Sequence, residues 1–357
     1  MPLHLLTLRV WETGLLEKLT EKERVLKALR GEVVDRRPVV CPGGMMTMAC
    51  REVMVKTGCR WPGVHRDAEK MATLSLAMHD ETGMENLGIP FCMTVEAEAL
   101  GGEVEDGDEV TEPGIVRYPL RSVSEWKKLK ALNPHKDGRL PTILECTKIL
   151  SKSVKDTAVV GNLVGPLSLA TSLIEATLLY RALKQTPGAA HEFLGFLTEN
   201  SIRYAEALID SGADLISIAD PSATGEILGP GNFEAFALPY LNEMTRHIHR
   251  LERPVIVHIC GNIHAIAGSI KRLDAECISF DAPVDIRMMR NTLPEKRLMG
   301  NVCTRLLLNG SQDTIRGVSA NILHHGIDIL APACGVSAKT PVKHIRAMAE
   351  AARFVSF

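Results

Sequence analysis

The sequence predicts an α/β protein whose single domain is a (β/α)8 barrel, 357 residues long. Two observations carry this expectation. Short apolar, β-branched runs recur eight times, at residues 37–41, 84–89, 158–163, 214–219, 254–259, 277–281, 297–301 and 327–331. Longer stretches with apolar residues at helical spacing lie between them, such as residues 189–211, closed by Gly212. Strands alternating with helices make right-handed βαβ units and a parallel sheet, and eight such strands close a barrel. A doubly wound open sheet is the alternative, but it would carry a nucleotide loop. No G-x-G-x-x-G follows the first run, and no G-x-x-x-x-G-K-[ST] occurs anywhere.

Taken in order, residues 1–18 precede the capping-box pattern Thr20-Glu-Lys-Glu23 and read as an N-terminal extension. The first two strands follow. Residues 94–126, with the acidic, Gly-rich "GGEVEDGDEVTEPG", read as a β-rich excursion inserted after strand two, in which Glu96 and Glu98 are expected to face solvent. From the third strand onward the alternation is regular. Residues 262–273 and 313–325 are expected to be helical, the second ending at Gly326.

Composition narrows the function. The formal net charge is -2 and aromatic residues make up 4%, so neither a basic field nor a base-stacking surface favours nucleic acid or a charged membrane. No apolar run approaches the roughly 20 residues of a membrane helix, and the start lacks a basic leader with a cleavage site. The nine cysteines are odd in number and irregular in spacing, which favours reduced thiols and a cytoplasmic location.

The chemistry gathers at the ends of the later strands. In "VIVHICGN", His258 and Cys260 are two apart and share one face if the strand extends that far. The sixth strand ends "ISFDAP", which puts Asp281 at the same level, and the eighth ends "ILAPACG", which puts Cys334 just above the barrel mouth. Barrel enzymes build their sites at that end. Nitrogen, thiolate and carboxylate donors suit zinc, and three protein ligands with one exchangeable position describe a catalytic site. A lone buried His beside a Cys is often only a packed pair, so the convergence of three strand ends is what favours a metal.

"VIVHICGN" with "LAPACGVSAKTP" resembles the H-x-C…C signature of methylcobamide:coenzyme M methyltransferases, of the uroporphyrinogen decarboxylase superfamily. The likeness runs from about Leu19 to Phe354 and includes "RVLKALRGEVVDRRPV", "GPLSLATSL", "ALIDSGADLISIADPSATGEILGP" and "GIDILAPACG". It implies a barrel, zinc bound by His258, Cys260 and Cys334, and a carboxylate, here Asp281, able to complete the shell. Asp is a methylene shorter than the family's usual Glu, so Asp281 acts either directly or through water. The resemblance further implies methyl transfer from a methylcobalamin-type corrinoid, carried by a partner protein, to a thiol such as coenzyme M. Zinc deprotonates that thiol, and the corrinoid supplies the difficult electronics.

Other positions are open between function and structure. Asp220, ending the fourth strand, suits either the acceptor, a metal ligand or a helix cap. Asn262 and Asn301 suit hydrogen bonds to corrinoid or acceptor, or to loop backbone. Arg305 suits an acceptor's anionic group or plain solvation. Met45 and Met46, after strand one, suit an apolar corrin surface or core filling. Tetrahydrofolate is the alternative acceptor. Uroporphyrinogen decarboxylase itself would need an arginine-rich first loop, whereas "VVCPGGMMTMAC" has none. A scaffold with structural zinc would need a closed four-ligand shell.

Overall fold

The computed structural model describes residues 18–41 and 49–354. All of the expected extension except Lys18 lies outside the described residues, as do Met45 and Met46. Among the described residues nine strands form: β1 Asn86–Ile89, β2 Glu103–Glu105, β3 Gly114–Arg117, β4 Ala158–Val164, β5 Leu215–Ala219, β6 Val255–Ile259, β7 Cys277–Phe280, β8 Arg297–Val302 and β9 Ile329–Pro332. Seven of them make one sheet in the order β1-β4-β5-β6-β7-β8-β9, every neighbouring pair parallel.

The first expected strand is reduced to a bridge, yet it closes the ring. Val39 pairs with Leu330 of β9. Val40 N donates to Leu330 O and Leu330 N to Pro38 O, both at 3.0 Å, while Glu85 N donates to Val39 O at 2.8 Å on the other side. Pro38 has no N–H to extend a ladder. Toward β1, the N–H groups of Val39 and Cys41 donate to the side chains of Glu85 and Asn86 at 2.9 and 3.0 Å. Side chains thus take the place of a strand partner.

Helix Glu21–Arg30 plugs the ring at the N-terminal ends of the strands. Thr20 and Glu23 form the expected capping box. Val25, Ala28 and Leu29, on one helical face, pack in one cluster with Val160, Leu215, Ile256, Cys277, Met299 and Ile329. Those six residues therefore line the inside of the barrel. Since strand side chains alternate, residues two further along each strand face inward as well. These are Asn162, Ser217, His258, Ser279, Asn301 and Ala331. An apolar floor is overlaid by a largely polar layer.

The long helix expected at residues 189–211 is Pro187–Asp210, its Phe193, Leu197, Tyr204 and Leu208 wholly buried. Gly212 at φ 109° ends it. The helix expected over 262–273 shrinks to a 3-10 turn and the short Ala267–Ile270. Residues 94–126 hold the antiparallel pair β2–β3, preceded by helix Val95–Ala99. No helix among the described residues is long and apolar enough to cross a membrane.

Candidate metal centre

The first donors are placed by β6. His258 occupies the inner face at its C-terminal end and is 1% exposed. Cys260 follows where the ladder stops. Gly261, at φ 73°, then turns the chain away, in a backbone region that glycine enters without steric cost. Cys334 arrives from the loop after β9, more than seventy residues on. His258 Nε2 lies 3.1 Å from Cys260 Sγ, and Cys260 Sγ lies 3.3 Å from Cys334 Sγ. All three donor atoms lie within 4.8 Å of one another. The hydrogen bond between the thiols splits their acidities. Accepting from Cys260, and helped by His258, Cys334 is held well below the usual thiol range. As donor to Cys334, and desolvated besides, Cys260 is pushed up.

This donor set fits a metal ion. Imidazole nitrogen and two sulfurs are the ligand types of a borderline-soft divalent cation, and three of them leave a tetrahedral position open. His258 Nδ1 makes a hydrogen bond with Ser279 Oγ at 2.9 Å, so Nε2 is the nitrogen turned to the thiols. Two thiolates would offset a double positive charge in a site this buried.

The remaining sequence candidates fall around this group in different ways. Asp281 is not among the clustered donors. Its Oδ2 accepts from Gly261 N at 3.1 Å and its Oδ1 from Ala282 N at 2.6 Å, so it braces the loop that carries Cys260. Asn301 is buried under the loop after β7, with Nδ2 donating to the carbonyls of Asp281 and Val284, each at 3.1 Å. Asn262 accepts from His264 N at 3.0 Å and donates its own N–H to Glu226 Oε2 at 3.3 Å.

Asp220 is wholly buried. It accepts from Ser168 N at 2.8 Å, Ser168 Oγ at 2.6 Å and Leu167 N at 3.3 Å, so it caps helix Pro166–Leu173 from a neighbouring strand. Burial raises its pKa to about 6 against these bonds. Arg305 is exposed and lines a cavity of about 300 Å3 with Thr304, Leu308, Gly335, Ser337 and Glu112. A larger cavity, about 1300 Å3, opens at the opposite end, beside Lys18 and helix Glu21–Arg30. Ion pairs of Arg24 and Arg36 line it, and the C-terminal mouth is where barrel chemistry belongs.

Two expectations for residues 94–126 are overturned. Glu96 is 1% exposed rather than solvated, because helix Val95–Ala99 folds inward and its carboxylate accepts from Val164 N at 2.8 Å, at the end of β4. Burial pushes its pKa up to about 7. Glu98 pairs with the buried guanidinium of Arg139 and with Arg66 instead of water. Sequence reading also missed Ser279, although the alternation that places Asp281 at the site places Ser279 on the same face.

Known proteins bear on the site. Residues 20–354 match the sequence profile of uroporphyrinogen decarboxylase. Methylcobamide:CoM methyltransferase MtbA of Methanosarcina acetivorans is 33% identical, over 94% of this chain and 98% of its own. Methylcobamide:CoM methyltransferase MtaA of Methanosarcina barkeri is 31% identical, over 94% and 98%. A solved methyltransferase from Methanosarcina mazei superposes with a TM-score of 0.88 at 31% identity, covering 94% of this chain and 98% of that one. A barrel that brings His258, Cys260 and Cys334 together at its mouth thus belongs to the uroporphyrinogen decarboxylase family, among its methylcobamide:coenzyme M methyltransferases.

Proposed function

We propose that this methyltransferase moves a methyl group from a methylated corrinoid, carried by a partner protein, to a thiol such as coenzyme M at a zinc site. One observation carries the reading: His258, Cys260 and Cys334, distant in sequence, place their donor atoms within 4.8 Å of each other. Zinc held there would supply deprotonation of the acceptor thiol without removing its nucleophilic lone pair. The thiol's S–H bond breaks and its proton leaves to solvent. Its sulfur forms the new S–CH3 bond, and the Co–CH3 bond breaks with both electrons kept by cobalt.

The chain's own residues position these events. His258 contributes a neutral nitrogen, while Cys260 and Cys334 bring negative charge that keeps a third sulfur electron-rich. We assign Asp281 the bracing of Gly261 and an effect on the metal through water, because its two oxygens are engaged by backbone. Asp220 orients the β5 end of the mouth. Asn262 and Asn301 hold the rim that meets acceptor or corrinoid, and Arg305, in the cavity beside Gly335, faces the acceptor's anionic group. The nine cysteines are all free thiols, which suits the cytoplasm.

The test is zinc content together with methyl transfer from free methylcobalamin to a panel of thiols and tetrahydrofolate, in wild type and Cys334→Ala. Stoichiometric zinc and transfer to a thiol, both lost in the variant, are expected. Transfer only to tetrahydrofolate would reassign the acceptor, and wild-type protein that binds no metal would remove the proposal.

A further inference from the structure

Directly behind the metal-facing imidazole sits a hydroxyl that the reaction itself does not use. Ser279 pairs with His258 in the β6–β7 register, both side chains face the barrel interior, and they are 0% and 1% exposed. Ser279 Oγ lies 2.9 Å from Nδ1, while Nε2 lies 3.1 Å from Cys260 Sγ. A neutral imidazole has one N–H and one lone pair. If the lone pair is to meet a cation beside the two thiols, the hydrogen must sit on Nδ1 and needs an acceptor in the protein interior.

We infer that Ser279 is a positioning residue for the metal: its oxygen accepts the Nδ1–H of His258, selects the tautomer with the free lone pair on Nε2, and fixes the ring plane. This rests on the metal-site reading above. Without Ser279, the imidazole would keep a buried N–H unsatisfied when ligating, or turn and present the wrong nitrogen. A hydroxyl also differs from the carboxylate often found behind ligating histidines. It orients the ring without adding a negative charge to a centre that already holds two thiolates. Partners of this outer kind typically matter by about 10–100-fold in metal affinity.

Ser217 supplies the internal control. It faces the same interior from β5 and is likewise buried, but its hydroxyl makes no hydrogen bond among the described residues. Zinc affinity is measured by competition with a chromophoric chelator in wild type, Ser279→Ala and Ser217→Ala. Ser279→Ala should bind zinc about 10–100-fold more weakly, and Ser217→Ala should match wild type. Equal affinity in Ser279→Ala and wild type overturns the inference, as does an equal loss in Ser217→Ala. Nitrogen-15 NMR of zinc-loaded wild type gives a reading that does not depend on any variant folding. It should show His258 ligating through Nε2, with a slowly exchanging Nδ1–H, and ligation through Nδ1 overturns the assignment. Wild type that binds no zinc rejects the metal-site reading itself, an outcome distinct from either.

Discussion

Glu96 shows how far a single side chain can depart from what its neighbours in sequence suggest. Its pKa is raised by burial from 4.5 to about 7, so the folded state favours the protonated acid. For a carboxyl with a raised folded pKa, stability is highest below the unfolded pKa and falls as pH rises through the folded value. Glu96→Gln, which keeps an oxygen for Val164 N, should match wild type near pH 4.5 and become the more stable protein above pH 7. The gap is a few kcal/mol at most, at about 1.4 kcal/mol per pKa unit. Thermal melts of both proteins from pH 5 to 8.5 measure it, and parallel curves would refute the burial account. Gly261 is constrained differently. At φ 73°, an added Cβ would meet Glu226 Oε2 at 2.9 Å and Thr224 Oγ1 at 3.0 Å. Gly261→Ala should cost about 1–2 kcal/mol and weaken metal binding by shifting Cys260. Unchanged zinc affinity would separate that turn from the site.

Among the elements, the ends of β4 and β5 are held by side chains as well as by the backbone bonds from Gly165 N to Ala219 O and from Asp220 N to His258 O. Asp220 caps helix Pro166–Leu173 with three hydrogen bonds, at the other end of a strand-to-strand contact and not at the start of its own following helix. Asp220→Ala leaves buried N–H groups without an acceptor, and a loss of about 1–3 kcal/mol is expected in urea unfolding; no loss would favour a role confined to catalysis. The strand endings that deliver His258, Cys260 and Asp281 were legible because period-two alternation is a local property of a strand. The reduction of residues 37–41 to a bridge was not legible. It depends on Glu85 and Asn86 reaching the N–H groups of Val39 and Cys41, contacts across more than forty residues.

At the scale of the whole molecule, chemistry and closure occupy opposite ends of the barrel. Glu85, 1% exposed, bonds Arg24 of the plug helix at 2.5 Å, Arg36 at 2.5 Å and Val39 N at 2.9 Å. One carboxylate ties plug, ring-closing segment and β1 together. Glu85→Ala leaves two guanidinium groups short of a partner and should destabilise the fold by about 3–5 kcal/mol. The same variant, once folded, should retain wild-type zinc affinity, since the proposed zinc site lies at the other mouth. A large loss of zinc affinity would show that the two ends are coupled.

The alternation of eight apolar runs with helical stretches, and the identity of the three soft donors, were determined by the sequence alone. Both follow from patterns a few residues long. Their meeting in one place was decided by tertiary structure, because Cys334 reaches Cys260 only after the ring has closed. The partner of His258 Nδ1, the burial of Glu96 and the bracing use of Asp281 were decided there too. Each depends on which groups remain without water once β-strand ends and loops have packed, and no local pattern encodes that.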